Sequence, residues 1–265
     1  MDSKLSLKKL QGVELEVLQA FHDFCEENKL IYYLTAGTLL GAIRHKGFIP
    51  WDDDMDVLMP RPDYEKFLQI FERKNKIPHL KLATPNNTEN YYTPVVKLFD
   101  NRFAAKAPHL RFPCPLGPWI DIFPLDNMGN NYSEALRLYK LVGIWRKIRP
   151  WRTLTPACHT GIRYYVRNLV TKILDLRPAS YFLNKIHHTS RRYENKEFTN
   201  YVGVVSFPGY GLKEIMEKSI YEERILHPFE TKQFYIPKGW HEILTRFYGD
   251  YMTPRKPKGV HFDYK

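Results

Sequence analysis

Four aspartates stand within five residues of the chain: Asp52, Asp53, Asp54 and Asp56. Carboxylates this close repel one another unless a positive charge compensates, and a divalent cation is a common compensation. Alternate residues of a strand share a face, so Asp54 and Asp56 are predicted to point the same way. Two oxygen ligands on one face suit a hard cation, Mg²⁺ or Mn²⁺. The alternative is a solvated acidic turn, which the apolar run at 57–59 disfavours.

A third carboxylate, Asp121, lies inside the apolar run Trp119-Ile120-Asp121-Ile122-Phe123. A single acid in such a strand is either a buried hydrogen-bonding residue or a metal ligand. The Asp54/Asp56 pair favours the ligand. Asp126, after Pro124-Leu125, is instead predicted to be a turn or capping residue.

Upstream of the acidic run, Ala36-Gly37-Thr38 stands where an apolar strand meets a helix. Glycine at such a junction lets a phosphate approach the backbone, and a helix N-terminus favours anions. No Gly-Lys-Ser/Thr follows, so the turn is not a P-loop. Asp54 follows Gly37 by 17 residues, a spacing that favours a phosphate-handling unit over a simple helix start.

These segments together resemble the LicD family, which includes the fukutin-related proteins. The resemblance lies in four stretches, 37–44, 47–56, 121–126 and 248–254, which together span roughly residues 30–255. It implies a nucleotidyltransferase-like fold that transfers a phospho-alcohol from a CDP-activated donor to a glycan hydroxyl. Thr38 departs from the wider superfamily, which has Gly or Ser there, although its hydroxyl preserves a hydrogen-bonding group.

The resemblance implies that Asp54, Asp56 and Asp121 hold a metal ion that also touches the donor diphosphate. Asp121 would complete this site, and it would either take the acceptor proton directly or act through the metal, which lowers the pKa of the acceptor hydroxyl. Arg44 and Lys97 are candidate catalytic phosphate clamps that support the leaving CMP. For Lys97, in the apolar run Pro94-Val95-Val96-Lys97-Leu98, a snorkelling strand-edge lysine is an equal alternative.

The predicted substrate-binding residues surround this metal site. They are Gly37, Thr38, Arg44, Trp51, Asp53, Tyr91, Tyr92 and Lys97. The aromatic members could stack on a base or enclose a quaternary ammonium group by cation–π attraction. Family analogy and the 15% aromatic content favour CDP-choline as the donor, over CDP-linked ethanolamine, glycerol or ribitol.

The elements that must position these residues alternate between helix and strand in the first half of the chain. The patterns predict helices over 6–29, 38–44, from Pro62 onward and 239–248, and strands over 31–34, 55–59, 92–99 and 119–123. The fold class is therefore α/β (α+β): a mixed sheet with flanking helices and a basic helical insertion. The expected division is a catalytic core at 1–130, a basic helical subdomain at 131–195, and a loop-like segment at 196–265 packing back on the core.

Residues 135–192 contain 13 Lys and Arg against one acid, Asp175. Ile162, Tyr165, Val166, Leu169, Val170 and Ile173 form an apolar stripe at helical spacing within this region. Peripheral contact with an anionic membrane or a polyanionic acceptor through 135–192 is predicted, with Arg146, Lys147, Arg149 and Arg152 among the contributing cations. The alternative is an ordinary solvated basic face.

A net charge of +11 also invites a nucleic-acid partner. No RNA- or DNA-binding module is recognisable, so no specific nucleic acid is expected. An RNA or small-molecule nucleotidyltransferase and a non-catalytic membrane-surface protein remain the alternatives. The expected acceptor is an anionic or lipid-linked glycan, a teichoic acid or lipopolysaccharide precursor. Three scattered cysteines, at positions 25, 114 and 158, and a polar N-terminus predict a cytoplasmic protein. The family resemblance and the basic region extend this to a peripheral position on the inner face of the membrane.

Overall fold

Helices and strands alternate over the first 83 residues, three further strands then follow one another, and three consecutive helices come after them. The computed structural model describes residues 5–106, 109–114, 116–155, 162–195, 199–254 and 263–264, so Cys158 lies outside the described residues. In chain order the elements are α1 (Leu7–Asn28), β1 (Tyr33–Leu34), α2 (Ala36–His45), β2 (Asp56–Pro60), α3 (Arg61–Lys74), β3 (Leu80–Ala83), β4 (Val96–Asp100), β5 (Ala105–Lys106), β6 (Trp119–Gly129), α4 (Tyr132–Thr153), α5 (Ile162–Leu174), α6 (Ala179–Ser190), β7 (Tyr201–Gly203), β8 (Met216–Glu217), β9 (Arg224–Phe229), β10 (Lys232–Pro237), α7 (Trp240–Tyr248) and β11 (Asp263–Tyr264).

The central sheet has the strand order β1-β2-β6-β4-β3, and β7 and β8 extend it beside the second half of β6. The β2–β6 pair is parallel, whereas β6 pairs with β4 and β7 antiparallel. Helices α1, α2, α3 and α7 contribute apolar side chains to the main core around this sheet. The predicted mixed α/β class with flanking helices is confirmed.

Two strand boundaries differ from the sequence-based prediction by four residues or more. The strand expected over 92–99 begins only at Val96, because the preceding residues form a local turn. In that turn the Tyr91 hydroxyl donates to the Val95 carbonyl, and the Val95 amide donates to Thr93 Oγ1. The strand expected over 119–123 continues to Gly129, because its second half finds a partner in β7.

The C-terminal segment is more regular than its many Pro and Gly residues suggest, since β9 and β10 form a hairpin. The turn of this hairpin supports the loop between α2 and β2: Glu230 Oε1 accepts a hydrogen bond from the Phe48 amide at 3.0 Å. A Cβ atom at Gly47 would lie 2.1 Å from the same oxygen, so a larger residue there would displace the Glu230 side chain. Phe229, Phe234 and Ile236 of the hairpin belong to the main core.

Helices α4 and α6 form a smaller core with the second half of β6 and residues near β7 and β8. The start of α4 is fixed by Asn131, whose side chain accepts a hydrogen bond from the Glu134 amide at 3.0 Å. Among the described residues, no helix is long and apolar enough to cross a membrane. The division of the chain into three units stays a prediction.

A buried ion pair joins the first turn of α3 to β6. Arg61 Nε donates to Asp126 Oδ1 at 2.7 Å, and both side chains are almost fully buried. Asp126 is therefore a strand residue in a buried pair, and the predicted turn or capping role is wrong. Burial raises the pKa of Asp126 to about 6, although Arg61 opposes that shift.

We expect Asp126→Ala to lower the free energy of unfolding by about 3–5 kcal/mol, because it leaves the buried Arg61 guanidinium without its main counter-charge. Urea denaturation at pH 7 measures this. Glu65→Ala is the matched control: Glu65 Oε1 accepts from Arg61 at 3.1 Å, but it is partly exposed. Its loss should cost at most about 1 kcal/mol. Equal losses in the two variants would contradict the buried-pair interpretation.

Candidate active site

Strand register places three of the predicted catalytic residues in one row across three neighbouring strands. On the parallel β2–β6 pair Asp56 lies opposite Asp121, and on the antiparallel β4–β6 pair Lys97 lies opposite the same Asp121. Asp54 precedes β2 by two residues, and Met55 between them is fully buried, as predicted. Paired residues of adjacent strands project from the same face of a sheet, so the row forms one cluster of charge.

The junction of β1 with α2 holds the start of β2 in place. The Thr35 amide donates to the Asp56 carbonyl at 3.1 Å, and the Asp56 amide donates to Thr38 Oγ1 at 2.8 Å. Ala36 between them has the left-handed φ of +48°, which is unusual for a residue with a side chain. A Cβ atom at Gly37 would lie 2.9 Å from Asp52 Oδ2, so a larger residue would displace the Asp52 carboxylate.

The Lys97 side chain is ion-paired within the row and packs on an aromatic ring. Lys97 Nζ lies 2.5 Å from Asp121 Oδ1 and 4.0 Å from the centre of the Trp119 ring. The indole Nε1 of Trp119 donates to the other oxygen, Oδ2, at 3.1 Å. Because Lys97 is 4% exposed, the snorkelling alternative does not hold. Its role as a phosphate clamp stays a prediction.

Helix α1 brings a further carboxylate to the acidic loop. Gln11 Nε2 donates to the Asp52 carbonyl at 2.9 Å, which ties the helix to the loop. One turn later Glu14 is completely buried, and neither of its carboxyl oxygens has a hydrogen-bond partner. Burial and then the charges of Asp54, Asp53, Asp52 and Asp121 raise the pKa of Glu14 well above its usual range.

The sequence analysis assigned no role to Glu14, although a signal was present. Glu14 lies four residues after Leu10 and four before Leu18, within the apolar stripe of α1. A carboxylate at such a position is buried when the helix docks by its apolar side. An acid inside an apolar helical stripe is therefore a candidate site residue in its own right.

The electrostatics of the row suit a divalent cation. Burial raises the pKa of Asp56 well above its usual range, the charges of Asp54, Asp121 and Asp52 add to the rise, and Lys97 opposes it. Carboxylate oxygens are the type of ligand that hard cations such as Mg²⁺ and Mn²⁺ prefer. In the conformation described, no three acidic, histidine or cysteine side chains among the described residues converge on one point that a metal ion would fill. Lys97 supplies positive charge at Asp121 in this conformation.

Two tyrosines that the sequence analysis did not assign lie close to the aspartates. The hydroxyl groups of Tyr210 and Tyr248 are hydrogen-bonded to each other, and the Tyr210 ring stacks on Phe247 with centroids 4.1 Å apart. Burial raises the pKa of both tyrosines, and the charge of Asp56 adds to both shifts. Tyr210 is separated from Asp56 by more than 150 residues, so no local sequence signal places it here.

The three predicted aromatic contacts differ in their exposure. Tyr91 is buried, with its hydroxyl on the Val95 carbonyl, so its ring is not open to a ligand in this structure. Tyr92 is also buried, and the charge of Asp121 contributes to its raised pKa. Trp51 is half-buried and meets the His45 ring edge-on. Of the three side chains, Trp51 is the most accessible.

Two arginines approach the site from different elements. Arg44 on α2 donates to the Tyr251 carbonyl at 2.8 Å, and burial lowers its pKa, which Tyr248 and Asp52 oppose. Arg149 on α4 donates to the Tyr92 carbonyl at 2.7 Å, and burial lowers its pKa to about 10. Asp53, the remaining predicted residue, is buried in the acidic loop.

Two comparisons with known proteins, a family model and a full-length relative, match this chain to LicD proteins. The family model described as "LicD/FKTN/FKRP, nucleotidyltransferase domain" matches residues 29–131. The lipopolysaccharide cholinephosphotransferase LicD of Haemophilus influenzae is 34% identical over 254 residues, which cover 94% of this chain and 92% of that protein. An uncharacterized protein of Rickettsia typhi is 40% identical over 67 residues, 25% of this chain and 21% of its own length.

We expect Glu14→Gln to stabilise the folded protein at neutral pH, because a neutral amide replaces a buried carboxyl that faces four aspartates. The folded pKa of Glu14 is raised, so its unfavourable contribution is absent below the unfolded pKa near 4.3 and grows as pH rises. The stability difference between variant and wild type should therefore vanish near pH 4 and increase by up to about 1.4 kcal/mol per pH unit above that.

Urea denaturation between pH 4 and pH 8 measures this difference. The control is Glu16→Gln, an exposed glutamate on the same helix, and its stability difference should stay flat across this range. A flat profile for Glu14→Gln as well would show that the Glu14 carboxyl is not desolvated.

Proposed function

This chain belongs to the LicD family, and on that premise we propose that it transfers phosphocholine from CDP-choline to a glycan hydroxyl and releases CMP. The proposed acceptor is a lipopolysaccharide or teichoic acid precursor. The observation that carries the proposal is the register of Asp56 opposite Asp121 across a parallel strand pair, with Asp54 adjacent. It gathers carboxylates from two separate motifs, as a cation-assisted phosphoryl transfer requires.

The proposed reaction is a substitution at the phosphorus that bears choline. The acceptor hydroxyl oxygen forms a bond to that phosphorus, and the bridging P–O bond of the diphosphate breaks. CMP leaves with the electron pair of that bond, and the hydroxyl proton passes to Asp121. A cation held by Asp54, Asp56 and Asp121 would neutralise the phosphate oxygens that otherwise repel the attacking oxygen.

The protein's own residues supply positioning and charge. Thr38 and Thr35 fix the backbone of Asp56, and Gln11 fixes the loop that carries Asp52. Lys97 and Trp119 orient the Asp121 carboxylate, which sets the direction in which it can accept a proton. Arg44 remains the candidate clamp for the donor phosphates.

Choline as the donor alcohol is supported by the aromatic groups around the cluster. Trp51 is half-buried, and Tyr210 and Tyr248 lie close enough to Asp56 for its charge to raise their pKa values. Aromatic rings attract a quaternary ammonium group, and polyols gain no such attraction. We therefore propose that CDP-choline is preferred over CDP-glycerol and CDP-ribitol, and the choline named for the Haemophilus influenzae relative favours it over CDP-ethanolamine as well. A panel of these four donors, with CMP as the readout, tests the preference.

We expect Asp54→Asn and Asp56→Asn each to abolish CMP release while the protein stays folded. Each change removes a carboxylate from the proposed cation site and also relieves like-charge repulsion, so the free energy of unfolding without metal should not fall. CMP release is measured with CDP-choline, Mg²⁺ and acceptor glycan, and the fold is checked by circular dichroism. Asp23→Asn, an exposed aspartate on α1, is the control that should keep full activity. Near wild-type turnover in both site variants would contradict the metal assignment.

Asp121→Ala should lower turnover by several orders of magnitude, because the residue is assigned both a ligand and a proton-accepting role. Binding of CDP-choline in the presence of Mn²⁺ separates the two roles. A variant that lacks only the base should bind the donor with unchanged affinity, whereas one that lacks a ligand should bind it poorly. Activity within about tenfold of wild type would remove Asp121 from the site, because a loss of that size is expected of a residue that only supports a ligand without touching the metal.

A further inference from the structure

Helix α5 docks on the protein by its polar side. Arg167 Nη2 donates to the Leu154 carbonyl at 3.1 Å, and Thr171 Oγ1 donates to the Trp151 carbonyl at 3.4 Å. Thr171 is buried and Arg167 is half-buried. The residues that hold α5 against the end of α4 are therefore hydrogen-bonding groups.

The apolar side of α5 faces solvent. Tyr165 is 68% exposed, Leu169 64% and Ile173 60%, and these residues are spaced four apart on one side of the helix. Val166 is 50% exposed, and Leu176, just beyond the helix, is 80% exposed. A helix that served only its own core would show the opposite arrangement. An apolar strip of this kind on a soluble protein marks an interaction surface.

The surroundings of this strip carry positive charge. Between residues 135 and 192 the only acid is Asp175, and it is ion-paired with Arg111 and Arg152. Lys172 is exposed and lies between Leu169 and Leu176 along the helix, at spacings of three and four residues. The strip therefore combines exposed apolar side chains with a net positive surface.

Charge decides which partner fits. A second copy of this chain docked symmetrically on the strip would bring like charges together, which is unfavourable. An anionic lipid surface instead complements the cations and accepts the apolar side chains at the boundary between headgroups and acyl chains. Tyr165 suits that boundary, since tyrosine has an apolar ring and a polar hydroxyl.

We propose that the outer face of α5, formed by Tyr165, Val166, Leu169, Ile173 and Leu176 with Lys172, seats the protein on an anionic membrane surface. This narrows the membrane contact predicted over 135–192 to one face of α5. Arg146 donates to the Val205 carbonyl, Arg149 to the Tyr92 carbonyl, and Arg152 pairs with Asp175. These three arginines make intramolecular hydrogen bonds or ion pairs, so substituting them would alter packing as well as lipid binding.

The test is co-sedimentation of the full chain with vesicles of equal parts phosphatidylglycerol and phosphatidylcholine, compared with pure phosphatidylcholine. We expect at least tenfold stronger binding to the anionic vesicles, weakening as salt rises. Leu169→Gln with Ile173→Gln should reduce binding at least tenfold. The matched control is Ile225→Gln with Leu226→Gln on β9, where the side chains are also exposed, and it should bind like wild type.

Equal binding to neutral and anionic vesicles, or unchanged binding of the α5 variant, would overturn the proposal. A dimer detected by light scattering that the α5 variant converts to monomer would also overturn it, because a second copy would then cover the strip. The measurement uses no donor and no acceptor, so its result is independent of the proposed transfer reaction. CMP release by the α5 variant with a soluble acceptor should match wild type.

Discussion

Mutual repulsion among carboxylates is the constraint on which the arrangement of this site depends. Two unit charges about 5 Å apart interact by about 3 kcal/mol at an effective dielectric constant of about 20. A single hydrogen bond contributes only about 1 kcal/mol to stability, so several anchors are needed to hold the acidic loop. The chain provides them from separate elements: Thr38 and Thr35 at the start of α2, and Gln11 on α1. These contacts explain why residues without catalytic chemistry of their own surround the aspartates.

Lys97 offsets the negative charge of Asp121 directly, as its ion-pair partner. Its ammonium group is buried between the Asp121 carboxylate and the Trp119 ring, so one negative charge of the row is balanced without solvent. The proposed cation and this ammonium group thus act on the same carboxylate. A lysine in this position, together with Trp119, orients the Asp121 carboxylate before a substrate arrives, which is what a ligand or a base at this point of the strand needs.

The sequence predicted the mixed α/β class and the helices α1, α2, α3 and α7 because their apolar periodicity is local. It also identified Asp54, Asp56 and Asp121 by residue type. It could not establish that β2 and β6 are adjacent, since 65 residues separate Asp56 from Asp121. Tyr210 and Tyr248 were given no role, and Arg149 was assigned to the membrane contact, for the same reason: all three reach their places through long-range packing. Glu14 differs, because its place in an apolar stripe was visible in the sequence.

Helices α1 and α5 show that an amphipathic pattern does not by itself say which face is buried. In α1 the apolar stripe packs into the main core and carries Glu14 inward with it. In α5 the polar side is buried, because the last carbonyl groups of a helix lack partners within that helix and attract donors. Arg167 and Thr171 supply those donors at the end of α4, which turns the apolar side of α5 outward. The contacts at the end of α4 thus determine which side of α5 is exposed to solvent.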